Sequence, residues 1–151
     1  MKKVIFKTGI IFLFMILTGS GCEKDPGEFI ERPFFKFSDF GCENVLWRLK
    51  PGNTNHYELV TSQQELEEYI TSDCVPQINF SKYIAIIGQR SFTTGVSLYS
   101  EILEENNNEI VYTVTFLKNI AMVAQGIQYH VVIEKPSGGK NIRVVEVVKD
   151  Y

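Results

Sequence analysis

The sequence predicts an α+β, mainly-β fold: an antiparallel sheet or sandwich of short strands with one short helix at about 62–71. Three observations carry this. From Lys82 onward, five strand-like runs follow one another, most joined by short turns, the pattern of a largely antiparallel sheet. Upstream, Ser62 followed by Glu65 opens the one clear helical pattern. The length of 151 residues, with 44% hydrophobic and 22% charged, suits a single domain with its own core and excludes wholesale disorder.

Each element has a local reason. Residues 22–33 read as Cys22 and a flexible tether, because Pro26, Gly27 and Pro33 interrupt regular structure. The globular domain then spans 34–151. Phe34-Phe35-Lys36-Phe37-Ser38-Asp39-Phe40 alternates in part and reads as a strand or arm packed on the core; an exposed aromatic binding patch is the alternative. Val45-Leu46-Trp47-Arg48-Leu49 is a short apolar segment closed by Pro51-Gly52-Asn53, and Tyr57–Val60 is a brief strand. In the helix, Leu66, Tyr69 and Ile70 form one apolar stripe, while Glu65, Glu67 and Glu68 cluster near the positive end of the helix dipole rather than as a catalytic pair. Tyr83-Ile84-Ala85-Ile86-Ile87, ended by Gly88, looks like a strand buried on both faces. Residues 96–102 and 110–116 alternate around a polar turn at 104–109 and predict a hairpin. Residues 127–134 and 141–148 predict a second hairpin around Pro136-Ser137-Gly138-Gly139, the two glycines serving its turn.

The first residues read as an address. Lys2, Lys3 and Lys7 precede an apolar run from Thr8 to Leu17, too short to span a bilayer, and then the small residues Thr18-Gly19-Ser20-Gly21. Residues 1–21 are therefore expected to be a signal peptide. Cys22 follows at once, and the arrangement resembles a bacterial lipoprotein signal, with Gly19 where a large aliphatic is usual; cleavage by an ordinary signal peptidase is the alternative. Acyl chains such as palmitate on Cys22 would anchor the protein in the bilayer, each buried CH2 contributing about 0.8 kcal/mol. The expected location is the bacterial cell envelope, at the outer membrane. Removing 21 of the 151 residues leaves 130, and the three lysines lost reduce 15 basic residues to 12 against 18 acidic, a net charge of −6. That balance argues against a nucleic-acid partner.

If Cys22 carries lipid, Cys42 and Cys74 remain as an even pair in an oxidising compartment, and a disulfide between them is expected. Two separate thiols are the alternative. No metal site and no cofactor is expected, since no third or fourth ligand recurs at short spacing.

No catalytic signature is present: no Gly-x-Ser-x-Gly, no phosphate-binding loop, no His-Glu-x-x-His. His56 sits in a turn-like stretch. His130 lies in a strand, and a hydrolase using it with Glu134 or Glu101 is the minority reading. Glu134 lies on the same strand face, but four residues away means about 13 Å at the backbone. Gln89, Arg90, Thr93, Thr94 and Gly95 are the candidate binding loop, bracketed by Gly88 and Gly95 between two strands.

From Tyr57 to Val148 the chain resembles the C-terminal domain of PrcB-type protease-complex lipoproteins. The likeness follows an order of features: Thr61-Ser62 opening a short helix with Glu65 and Leu66, then Pro76, then Ile78-Asn79-Phe80-Ser81-Lys82 leading into an apolar strand. Gly88-Gln89-Arg90, the Thr94-Gly95 turn, an alternating strand with Ser97, the Tyr129–Ile133 strand and a closing hairpin complete it. The family's Thr-Gly-Gly-Tyr-like turn is here Thr94-Gly95-Val96. The resemblance implies a noncatalytic lipoprotein that binds a protein partner, an exported protease that it stabilises or regulates, and it offers no catalytic residue. Thr93-Thr94-Gly95 is also similar to the Thr-Thr-Gly loop of chagasin-type cysteine-protease inhibitors, which implies an inhibitor as the alternative. A purely structural envelope protein is a third reading, distinguished by having no discrete binding patch.

Overall fold

The computed structural model describes residues 27–43, 47–50, 56–121 and 123–150. Residues 1–21, read as a signal peptide, Cys22, Val45, Leu46 and the Pro51-Gly52-Asn53 stretch lie outside them. Strands β1 (Ile30–Glu31), β6 (Val96–Glu105), β7 (Glu109–Lys118) and β9 (Asn141–Lys149) form a four-stranded sheet in the order β1-β6-β7-β9. Strands β3 (His56–Val60), β5 (Tyr83–Phe92) and β8 (Gln125–Glu134) form a second sheet, and β2 (Trp47–Leu49) pairs with β4 (Ile70–Ser72) beside the helix α1 (Gln63–Tyr69). Among the described residues no helix is long and apolar enough to cross a membrane.

The three-stranded sheet is the middle layer. One of its faces packs Ile84, Ile86, Tyr129, Val131 and Ile133 against Leu103, Ile110, Tyr112, Val114 and Phe116 of the four-stranded sheet. Its other face packs Ala85, Ile87 and Val132 against Leu66 of α1, Ile70, Leu49, Ile78 and Phe37. This double burial is why residues 83–87 carry no polar alternation. Each large side chain taken fully from water, such as Tyr112 or Phe116, contributes about 1.5–3 kcal/mol.

The helix starts where the sequence predicts. The Ser62 hydroxyl accepts the Glu65 N–H at 3.2 Å, and the Glu65 carboxylate accepts the N–H and hydroxyl of Thr61 at 2.7 and 3.0 Å. It ends at Tyr69, because Ile70–Ser72 takes up the pairing with β2 as β4. The 96–102 and 110–116 runs form the expected antiparallel hairpin, β6 with β7, around a turn in which the Asn106 side chain accepts the N–H groups of Asn108 and Glu109, both at 2.9 Å. A bulge between Leu98 and Ser100 leaves Tyr99 facing outward.

Three expectations are corrected. The closing hairpin does not form: β8 pairs antiparallel with β5, and β9 pairs parallel with β7. The chain passes from β7 in one sheet through β8 in the other and back, so β9 returns in the direction of β7. Gly138 (φ +78°) and Gly139 (φ +68°) serve that crossing between sheets rather than a hairpin turn. Gly88 does not end its strand. It sits in mid-strand opposite Tyr57 and Tyr129, and a Cβ there would fall within the Tyr129 ring. Within the stretch read as tether, Ile30–Glu31 forms β1, the Arg32 N–H donates to the Leu103 carbonyl at 2.8 Å, and Arg32 pairs with Glu105 at 2.6 Å.

The expected disulfide joins Cys42 to Cys74, with Cα atoms 5.8 Å apart. The aromatic run is an arm on the core, not an exposed patch. Phe37 is buried, and Phe34, Phe35 and Phe40 are half-buried. Phe35 exchanges two 2.9 Å backbone hydrogen bonds with Val132, so the arm covers part of the outer edge of β8.

Candidate functional site

Two connections meet at one end of the sandwich. Thr93-Thr94-Gly95 carries the chain from β5 to β6, and the stretch after Lys118 carries it from β7 back to β8. Because Phe92 is opposite Gln125 and Val96 is opposite Lys118, both crossings between the sheets lie side by side. Gly95 joins them: its N–H donates to the Ala121 carbonyl at 2.6 Å, and its carbonyl accepts the Asn119 N–H at 2.9 Å. The Asn119 side chain accepts the Ala121 N–H at 2.9 Å, and the Gln125 amide donates to the Val96 carbonyl. A Cβ at Gly95 would meet the Ala121 carbonyl oxygen at 2.8 Å and the Ala121 methyl at 2.7 Å, so only glycine permits this approach. Held this way, Ile120 is 97% exposed and Val123 60% exposed.

The candidate loop is thus only partly as the sequence predicts. Thr93, Thr94 and Gly95 form the connection. Gln89 and Arg90 do not; β5 runs on to Phe92, and both side chains are engaged on the sheet. Gln89 accepts the Gln128 amide at 3.1 Å. Arg90 donates to Glu146 at 2.7 Å and lies over the Phe92 ring. The exposed pair Ile120 and Val123 is the part that sequence reading missed. Its signal was available: Asn119 to Ala124 carries no charge and lies between two strand patterns.

Two inward carboxylates make matching ties between layers. Glu146 accepts the Tyr129 hydroxyl at 2.6 Å on one oxygen and Arg90 on the other. Glu101 accepts the Tyr112 hydroxyl and the Lys36 ammonium, the latter at 2.6 Å. Burial and the neighbouring carboxylate push both tyrosine hydroxyls well above their ordinary range, so both stay protonated donors. Burial holds Lys36 below its usual value, and Glu101 opposes that shift. Glu101 and Glu146 both face inward opposite Val114, one from each side of β7, about 10 Å apart by strand spacing. Each is occupied by a cation and a phenol, so they tie strands together rather than acting as an acid–base pair.

His130 is likewise enclosed. Its Nε2 accepts the Phe37 N–H at 3.1 Å, its ring stacks on Phe37 at 4.0 Å between centroids, and Trp47 meets it edge-on at 5.2 Å. Burial, with the Lys36 charge nearby, lowers its pKa to about 3. Neither carboxylate of the hydrolase reading serves its ring: Glu134 pairs with Lys82 at 3.2 Å, and Lys36, held by Glu101, reaches only the His130 carbonyl. Among the described residues no group of three or more potential ligands is placed to hold a metal ion.

Comparison with protein families, with curated proteins and with solved structures finds no match. The functional reading therefore rests on this chain's own residues.

Proposed function

We propose that the protein is a noncatalytic, lipid-anchored component of the bacterial outer membrane that binds a protein partner, an exported protease that it stabilises or regulates. The observation that carries the binding reading is the paired-loop end, where exposed Ile120 and Val123 stand on a hydrogen-bonded base formed by Gly95 and Asn119. Two exposed aliphatics on a connection held by the Gly95 and Asn119 hydrogen bonds are what a purely structural envelope protein has no need of. The PrcB-type order of features from Tyr57 to Val148 supports the protease as partner class, and the Cys22 signal supports the anchor. The closing hairpin in that order is absent, so the likeness rests on its remaining features. The test is affinity capture from envelope extract with the full acylated chain in detergent. A protease recovered in stoichiometric amount is expected; recovery of nothing above a control lipoprotein overturns the reading.

One further reading has an observation in its favour. Thr93-Thr94-Gly95 sits at a sandwich end beside a second loop, as an inhibitor that presents loops to a protease cleft would require. Titration of a papain-type cysteine protease with the purified chain decides it. Inhibition at near-equimolar protein supports it, and full activity in excess protein removes it.

A further inference from the structure

We propose that Ile120 and Val123 act as a wedge that enters an apolar cleft on the partner protein, with Gly95 as the residue that positions it. This rests on the binding reading above and deepens it by stating the chemistry of the contact.

Single exposed aliphatics are ordinary on protein surfaces. Here two exposed aliphatics share one connection, in which Asn119, Ala121 and Ala124 carry no charge. The backbone beneath is already held by the Gly95–Ala121, Asn119–Gly95 and Ala121–Asn119 hydrogen bonds. Less ordering entropy is then lost at Ile120 on docking, which favours its insertion into a cleft.

The position of the chain's remainder selects the occupant. Strand β6 has Val96 beside the wedge and Glu105 beside Ile30, nine residue steps or about 30 Å apart. Residues 1–26 precede Gly27 at the Ile30 end. A lipid on Cys22 therefore holds the end of the sandwich opposite the wedge, which leaves the wedge to a protein rather than to the anchoring bilayer. A second copy docking head to tail would have to seat both aliphatics in the cavity at the Ile30 end, about 240 Å3, where Ile30 lies among Glu28, Arg32, Glu105, Asn106, Asn107 and Lys140, a mostly polar set of side chains.

The test places a photo-crosslinking amino acid at Thr94, beside the wedge, or at Ser137, at the opposite end, in the full-length chain in its own host cells. The expected result is a Thr94 adduct to a different protein, reduced about tenfold or more by Ile120→Asp and changed less than twofold by Ile120→Leu. Ile120 is solvent-facing, so all variants should unfold at the same temperature; a shift confined to Ile120→Asp is met by repeating the experiment with Val123→Asp. An adduct that Ile120→Asp and Val123→Asp leave unchanged overturns the wedge, as does an adduct to lipid or to a second copy. A protein adduct from Ser137 alone overturns the wedge and leaves the binding reading standing. No protein adduct from either position overturns both.

Discussion

His130 shows how far a residue's surroundings can reverse its apparent role. A histidine in a strand is a candidate base by type, but here its ring is stacked on Phe37 and its Nε2 is occupied by a backbone donor. With its pKa lowered to about 3 from an unfolded value near 6.5, protonation favours the unfolded chain. Its stabilising contribution is therefore full above about pH 6.5 and is lost as pH falls toward 3, by at most about 1.4 kcal/mol per pH unit. Replacing it with Gln, which keeps an acceptor for Phe37, should flatten the acid limb of stability between pH 6 and 4. Denaturant unfolding at several pH values, wild type minus variant, checks this; an unchanged slope removes the assignment. Gly88 is the complementary case. Gly88→Ala forces the Tyr129 ring aside and loosens its 2.6 Å bond to Glu146. The cost should be about 1–3 kcal/mol in thermal or denaturant unfolding, as for other overpacked sites.

At the scale of elements, the aromatic arm shows how a weak local pattern becomes ordered. Its ties to the rest of the fold include the Phe35–Val132 bridge, the Lys36–Glu101 ion pair, the Phe37–His130 hydrogen bond and the Cys42–Cys74 disulfide. The disulfide closes a loop with a sequence separation of 32, which the chain-entropy model values at roughly 3.5–4 kcal/mol. Replacing both cysteines with Ser should lower the unfolding free energy by roughly 2–4 kcal/mol. Hydrogen exchange should rise in 34–50 more than in the β6–β7 hairpin, whose pairing is local. Equal loosening of both regions would show that the arm is not a separate unit.

At the scale of the molecule, the sandwich separates its two ends. One end receives the chain that leads from Cys22, through β1 on the Glu105 end of β6; the other carries the paired loops. If the anchor is lipid alone, Cys22→Ser should leave the unfolding midpoint unchanged and move the protein from the membrane to the soluble fraction. Fractionation followed by immunodetection reads both outcomes, and a variant that stays with the membrane shows that another contact holds it there.

Local chemistry made much of this readable in advance. Period-two alternation marked the β6–β7 hairpin, an uninterrupted apolar run marked β5, and Ser62 with Glu65 marked the start of α1. The cysteine count marked the Cys42–Cys74 pair. Each is a property of neighbours in sequence, or of an arithmetic that needs no geometry. What only the tertiary structure decided is which strands pair and which residues share an end. Alternation states that β9 has an apolar face but not which sheet receives it, so a nearby β8 looked like its partner when β7 was. Gly88 looked like a stop because the ring that needs its missing Cβ belongs to Tyr129, far along the chain. The paired loops were hidden for the same reason: Gly95 and Ala121 lie on opposite sides of a hairpin, and their hydrogen bond exists only once both sheets are assembled.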